Sequence, residues 1–290
     1  MENKQKTEVE LPVAEASCCT PSCCSGSAEA EAEPQDLKSI VREKYGAIAE
    51  RTDAAGCCDT PDGTYSIMAD EYDELAGYAP TADLKLGCGL PTEFAQIKPG
   101  DTVVDLGSGA GNDCFVARAE TGETGRVIGV DFTTAMIRKA RANVLKLGYN
   151  NVSFVQGDIE DIPLPADIAD VVVSNCVFNL VPNKQQAFQE AHRILKPGAH
   201  FSISDIVLEG DLPTELQKDA ELYAGCVAGA IQMNDYLQLL TDQGFKNLNI
   251  QKKKAIKLPK EVLAKHLTDT QIEAFNDSFG IYSITVYGEK

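Results

Sequence analysis

From Gln35 onward, Leu37, Ile40, Val41, Tyr45 and Ile48 recur at three- and four-residue spacing, which predicts an amphipathic helix. It runs into Ala54-Ala55-Gly56-Cys57-Cys58-Asp59, a loop by composition, and residues 67–75 are expected to form a second helix. After Pro99-Gly100, short apolar runs alternate regularly with longer amphipathic stretches. Strands are predicted at 102–106, 126–131, 152–156, 170–175 and 200–207, and helices at 112–119, 133–147 and 184–195, the last closing at Lys196-Pro197-Gly198. Strands separated by helices of this length need crossover connections, and these generate a parallel sheet. An acidic, helix-prone insertion at 209–245 breaks the rhythm. Strand candidates at 248–256 and 281–287 then bring the count to seven. The fold class is therefore α/β: a doubly wound, mostly parallel sheet with an inserted cap.

Residues 1–36 lack any apolar period and carry Glu-Ala repeats with Pro12, Pro21 and Pro34. Such a segment cannot bury enough surface to offset its ordering entropy, so it reads as a disordered acidic tail. The expected organisation is this tail, a body at 37–208, the cap at 209–245 and a sheet-completing segment at 246–290. The N-terminus has no apolar h-region and no apolar run approaches the ~20 residues of a spanning helix, so a cytoplasmic, non-membrane protein is expected. A net charge of −18 disfavours nucleic acid, whose binders need clustered Lys and Arg. In a reducing compartment the ten cysteines are better read as thiols than as a disulfide frame.

Val103-Val104-Asp105-Leu106-Gly107-Ser108-Gly109-Ala110-Gly111 follows a strand and opens a helix, a place where glycines let a ligand approach the backbone. Asp131 ends the next strand at the carboxyl edge, where a carboxylate can hold ribose hydroxyls. The dinucleotide fingerprint fails because Asn112 stands where its third glycine belongs. With Asp105 ahead of Gly-x-Gly-x-Gly, with Gly157-Asp158-Ile159-Glu160 and with Leu195-Lys196-Pro197-Gly198-Ala199, the stretch at about 95–208 resembles class I S-adenosylmethionine methyltransferases of Rossmann-like fold. That resemblance implies S-adenosylmethionine as cofactor. It puts Gly107, Gly109 and Gly111 at the methionine end, Asp131 on the ribose, Phe132 on the adenine, and Asp158 with Ile159 at the adenine edge.

The acceptor has to be sought elsewhere. His192 lies within a helix and His200 at a strand start, so both read as structural. Cys176 follows the fourth strand, Cys226 sits among small residues in the insertion, and Cys88 lies in Gly87-Cys88-Gly89-Leu90-Pro91. Cys114, inside the helix after the glycine loop, reads as packing. The contexts Gly-Cys-Gly-x-Pro, Ser174-Asn175-Cys176-Val177-Phe178-Asn179 and Tyr223-Ala224-Gly225-Cys226-Val227-Ala228-Gly229-Ala230 resemble arsenite S-adenosylmethionine methyltransferases. With Cys57-Cys58, the likeness extends over about 37–250.

The resemblance implies arsenite, or its glutathione complex, as the substrate. Three thiolates suit a soft, pyramidal trivalent arsenic, and its free lone pair attacks a methyl group without a general base. Cys176 and Cys226 are expected to be the indispensable pair, with Cys88 as third ligand or redox partner. Cys57 or Cys58, with Cys88, would return two electrons to methylated arsenic before reduction by thioredoxin or glutathione. The tail thiols Cys18, Cys19, Cys23 and Cys24 are either incidental or a soft-metal scavenger. The rival readings are a methyltransferase for a small organic acceptor and a soft-metal sequestration protein.

Overall fold

The computed structural model describes residues 34–50, 70–217, 222 and 226–290. Cys57, Cys58 and the four tail thiols lie outside the described residues, as do residues 67–69 of the expected 67–75 helix. Helix α1 (Pro34–Glu50) matches the first amphipathic stretch. What is described of the second expected helix is a run of turns instead, with Leu75 N–H donating to the Tyr72 carbonyl and Tyr78 N–H to Leu75. Asp70, Glu71, Asp73 and Glu74 would face each other at helical spacing, and like charges three and four residues apart oppose a helix.

Seven strands form one sheet: β1 (Thr102–Leu106), β2 (Arg126–Asp131), β3 (Val152–Gln156), β4 (Ala169–Asn175), β5 (Leu195–Glu209), β6 (Lys246–Ile256) and β7 (Gly280–Glu289). Their order is β3-β2-β1-β4-β5-β7-β6. β1 to β5 pair in parallel, and β7 alone runs against its neighbours. β5 starts earlier than expected: Leu195 pairs with Ala169 ahead of a register shift, so Lys196-Pro197-Gly198 belongs to the strand and does not close a helix.

Among the described residues the further α-helices include α2 (Asn112–Thr121), α3 (Thr134–Leu147), α4 (Lys184–Ile194), the short α5 (Thr214–Gln217), α6 (Met233–Asp242), the short α7 (Lys260–Leu263) and α8 (Asp269–Ser278). Alternate residues of the central strands feed two cores, as a sheet buried on both faces requires. Val104, Leu106, Ile128, Val130 and Val172 pack with Ala187, Phe188, Ile194, Tyr236 and Leu240 of α4 and α6. Val103, Val127, Val171 and Val173 pack on the other face with Phe115, Ala117, Ile137 and Ala140 of α2 and α3.

β1 is flanked by β2 and β4, so the chain leaves its carboxyl end toward opposite sides of the sheet. A crevice opens at that switch point. A third cluster, at the carboxyl ends of β4 and β5, joins Val41 of α1, Leu180, Ile206, Leu208, Leu222 and Val227 around three cysteines.

Candidate active site

The glycine loop leaves β1 at Gly107, whose φ of 74° suits glycine. A Cβ there would also come within 2.2 Å of the Val177 side chain, so the loop is held tightly against the residue that follows Cys176. The cleft beside it spans about 1020 Å³, the open solvent at its mouth included. Gly107, Gly109, Asp131, Phe132, Asp158 and Ile159 all line it. Gly111 does not: it is the left-handed residue before α2, backed against the Phe154 and Phe115 rings.

Both oxygens of the Asp131 carboxylate accept backbone bonds, Oδ2 from Gly109 at 3.0 Å and Oδ1 from Thr133 at 2.7 Å. Burial nevertheless raises its pKa, because two amides only partly replace lost water. On the same wall Ser108 Oγ and Asn112 Oδ1 are buried without a partner among the described residues. A Cβ at Gly109 would meet nothing within 4 Å, so the loop backbone is open to approach here.

Helix α1 closes the cleft at Asp158. Lys38 Nζ donates to Asp158 Oδ2 at 2.6 Å and to Glu160 Oε2, while the Arg42 guanidinium lies 5.3 Å from the Phe132 ring centre. Burial acts to lower the Lys38 pKa, but the two carboxylates outweigh it and the pKa is raised.

Cys88, Cys176 and Cys226 meet in the third core, at 0, 3 and 1% exposure. Cys176 also lines the cleft, so it stands between the cleft and this core. Its thiol has those of Cys226 and Cys88 beside it. Burial, with these two neighbours, pushes its pKa well above the ordinary thiol value. For Cys226 the Cys176 thiol acts to lower the pKa, but burial and the nearby Asp205 and Cys88 outweigh it and the net shift is upward. Cys226 Sγ donates to the Cys176 carbonyl at 2.9 Å. Among the described residues no three His, Cys, Asp or Glu side chains stand ready to enclose an ion. The trio is gathered but is not arranged around a common centre.

Glycine is needed on both sides of Cys88. A Cβ at Gly87 would fall 2.5 Å from Asn175 Nδ2, and one at Gly89 would fall 2.6 Å from Ser204 Oγ. Cys114 is buried in packing and also donates to Asp105 Oδ2 at 3.2 Å. His200 bonds the Ala95 carbonyl at 2.6 Å and His192 packs on Phe245, so neither approaches the cleft.

Four residues on or beneath the site carried no sequence signal read above. Tyr72, Asp113 and Asn175 line the cleft in one network, and Asp205 lies under the thiols, bonded by Asn179 Nδ2 at 2.7 Å and Ile206 N–H at 3.0 Å. Asp113 was open to detection as an acid in the first turn after a glycine loop, and Asn175 as the neighbour of Cys176. Tyr72 was not, because its partner Asn175 lies 103 residues away.

A family model described as a methyltransferase domain matches residues 97–244. An arsenite methyltransferase of Halobacterium salinarum is 41% identical over 235 residues, 76% of this chain and 60% of that protein. One of Aquipseudomonas alcaligenes is 33% identical over 248 residues, 81% of this chain and 69% of the relative. The crystal structure of an arsenic(III) S-adenosylmethionine methyltransferase from Chlamydomonas reinhardtii superposes with a TM-score of 0.60 at 34% identity, covering 70% of this chain and 67% of that one. The chain thus spans about two thirds or less of the length of these three proteins.

Proposed function

The chain belongs to the arsenite methyltransferase family, and from that premise we propose that it transfers methyl groups from S-adenosylmethionine to trivalent arsenic held by cysteine thiolates. The observation that carries this reading is the position of Cys176, on the cofactor cleft wall and beside Cys88 and Cys226. The cleft fits the cofactor: the loop backbone is open to approach at Gly109, and the Asp131 carboxylate stands on the same wall. When bound, S-adenosylmethionine supplies an electrophilic sulfonium methyl.

In this reading Gly107 and Gly109 admit the methionine end, Asp131 takes the ribose, and Phe132, Asp158 and Ile159 border the adenine. Gly111 supports the loop from behind. Cys88, Cys176 and Cys226 hold the substrate. Exchange of three arsenic hydroxides for three thiols releases three waters, so the thiol protons leave with oxygen and a raised thiol pKa is no obstacle. Loading turns the Cys226 thiol away from the Cys176 carbonyl. The bound arsenic keeps its lone pair and carries no proton, so no base is needed, and orientation across the Cys176 wall is the main catalytic contribution.

Methyl transfer leaves arsenic formally pentavalent. The thiol of Cys57 or Cys58 attacks the Cys88 sulfur, the arsenic–Cys88 bond breaks with its electron pair left on arsenic, the thiol proton leaves, and thioredoxin or glutathione reduces the disulfide formed. The reading is tested by product speciation after mixing the protein with arsenite, S-adenosylmethionine and a thiol reductant. Methylated arsenicals are expected. Full activity of Cys176→Ser on both arsenite and methylarsonous acid overturns it.

A further inference from the structure

Asn175, the last residue of β4, uses its side-chain amide in both directions at once. Its Oδ1 accepts the backbone N–H groups of Cys88 at 3.0 Å and Gly89 at 3.3 Å. Its Nδ2 lies 2.8 Å from the Gly89 carbonyl, 2.6 Å from the Tyr72 hydroxyl and 3.2 Å from Asp113 Oδ2. These partners dictate which way the amide points: two N–H donors demand the oxygen on one side, and acceptors demand the nitrogen on the other. Tyr72 is buried and passes its own hydroxyl proton toward Asp113, with Oδ1 at 2.9 Å and Oδ2 at 3.0 Å. Asp113 sits in the first turn of α2, directly after the glycine loop. One side chain thus ties the cofactor loop, the Cys88 loop and the Cys176 turn together.

We propose that Asn175 is a positioning residue that fixes the Cys88 backbone against the end of β4, so that the Cys88 and Cys176 thiols stay side by side in one core, and that Tyr72 and Asp113 hold its amide in the orientation that does so. The packing is consistent with a rigid clamp, since the Gly87 Cα faces the Asn175 amide with no room for a methyl group. The role is one of alignment: Asn175 acts on arsenic only through Cys88. The proposal rests on the arsenic reading for what the thiols hold, while the clamp itself is independent of it.

The test measures alkylation of each cysteine of the full chain by mass spectrometry, with and without arsenite. In Asn175→Ala, Cys88 is expected to react tenfold or more faster than in the unsubstituted protein, while Cys114, buried under the same glycine loop, keeps its rate. A Cys88 rate that does not change overturns the proposal, and so does a parallel rise at Cys114, which signals general loosening. With arsenite, protection of Cys176 and Cys226 should survive in the variant and protection of Cys88 should be lost. Retained protection of Cys88 overturns the alignment role. If arsenite protects no thiol of the unsubstituted protein, the arsenic reading fails while the alkylation arm still decides the clamp. Should Asn175→Ala not fold, Tyr72→Phe removes only the hydroxyl that holds the amide. It should speed Cys88 two- to fivefold with Cys114 constant, and an unchanged Cys88 rate would again count against the proposal.

Discussion

Cys226 donates its thiol to the carbonyl of Cys176 at 2.9 Å, and both residues hold left-handed backbone, with φ of 65° and 61°. Non-glycine residues pay about 1–2 kcal/mol for that conformation. Surrounding structure retains it here: Cys176 N–H bonds the Ser204 carbonyl at 2.8 Å and both side chains are buried. Strain kept at two thiols that face each other fits a functional site better than a packing role.

The first prediction follows from that strain. Glycine is normally less stabilising than alanine by about 0.5–1 kcal/mol. At position 176 the order should reverse, with Cys176→Gly melting above Cys176→Ala while both lose methylation of arsenite. Thermal unfolding of the two variants checks it, and the ordinary order would mean that the left-handed backbone is not strained.

The glycines flanking Cys88 give a second. Gly89→Ala forces a methyl group against Ser204, whose Oγ also shares a hydrogen bond with Thr285 Oγ1 at 2.8 Å. Overpacking of this kind costs about 1–3 kcal/mol. Denaturant unfolding should register that loss, and arsenite turnover should fall more steeply than stability, because the displaced loop carries Cys88.

Lys38 supplies a third. Its ion pairs with Asp158 and Glu160 are partly exposed, so Lys38→Met should change stability by less than about 1 kcal/mol. Because α1 covers the end of the cleft proposed for the adenine, affinity for S-adenosylmethionine should drop several-fold. Raised salt should weaken binding in the unsubstituted protein and have little effect in the variant. Calorimetric titration at low and high ionic strength reads both outcomes.

The fourth concerns pH. Burial pushes the Asp205 carboxyl up to about 7, with Lys184 and the bonds from Ile206, Tyr236 and Asn179 acting against the shift. The folded pKa exceeds the unfolded value near 4, so the folded protein holds this proton more tightly. The associated stability is present in acid and is lost as pH rises through about 7. Asp205→Asn removes that dependence, so the melting temperature of the variant relative to the parent should be more favourable at pH 8 than at pH 5. An identical difference at both pH values would mean that Asp205 ionises normally.

The chain order of apolar and polar residues determined most of the architecture. Strands buried on both faces must be continuous apolar runs and crossover helices must be amphipathic, so β1, β2 and β3 were legible to the residue. The glycine loop was legible from its glycines, whereas Cys88, Cys176 and Cys226 stood out only through the resemblance of their contexts to arsenite methyltransferases, and the structure brings the three into one core. The 67–75 expectation failed over its described part because apolar spacing said nothing of four carboxylates crowding one another, nor of Lys252 and Lys254 drawing Asp70 to β6. Only the tertiary structure decided that Gly111 backs onto aromatic rings, that Lys38 reaches Asp158 across 120 residues, and that Asn175 joins Tyr72, Asp113 and the Cys88 loop. Such contacts leave no periodic trace: a single hydrogen-bonding side chain meets its partner wherever the sheet order β2-β1-β4-β5 brings their loops to one edge.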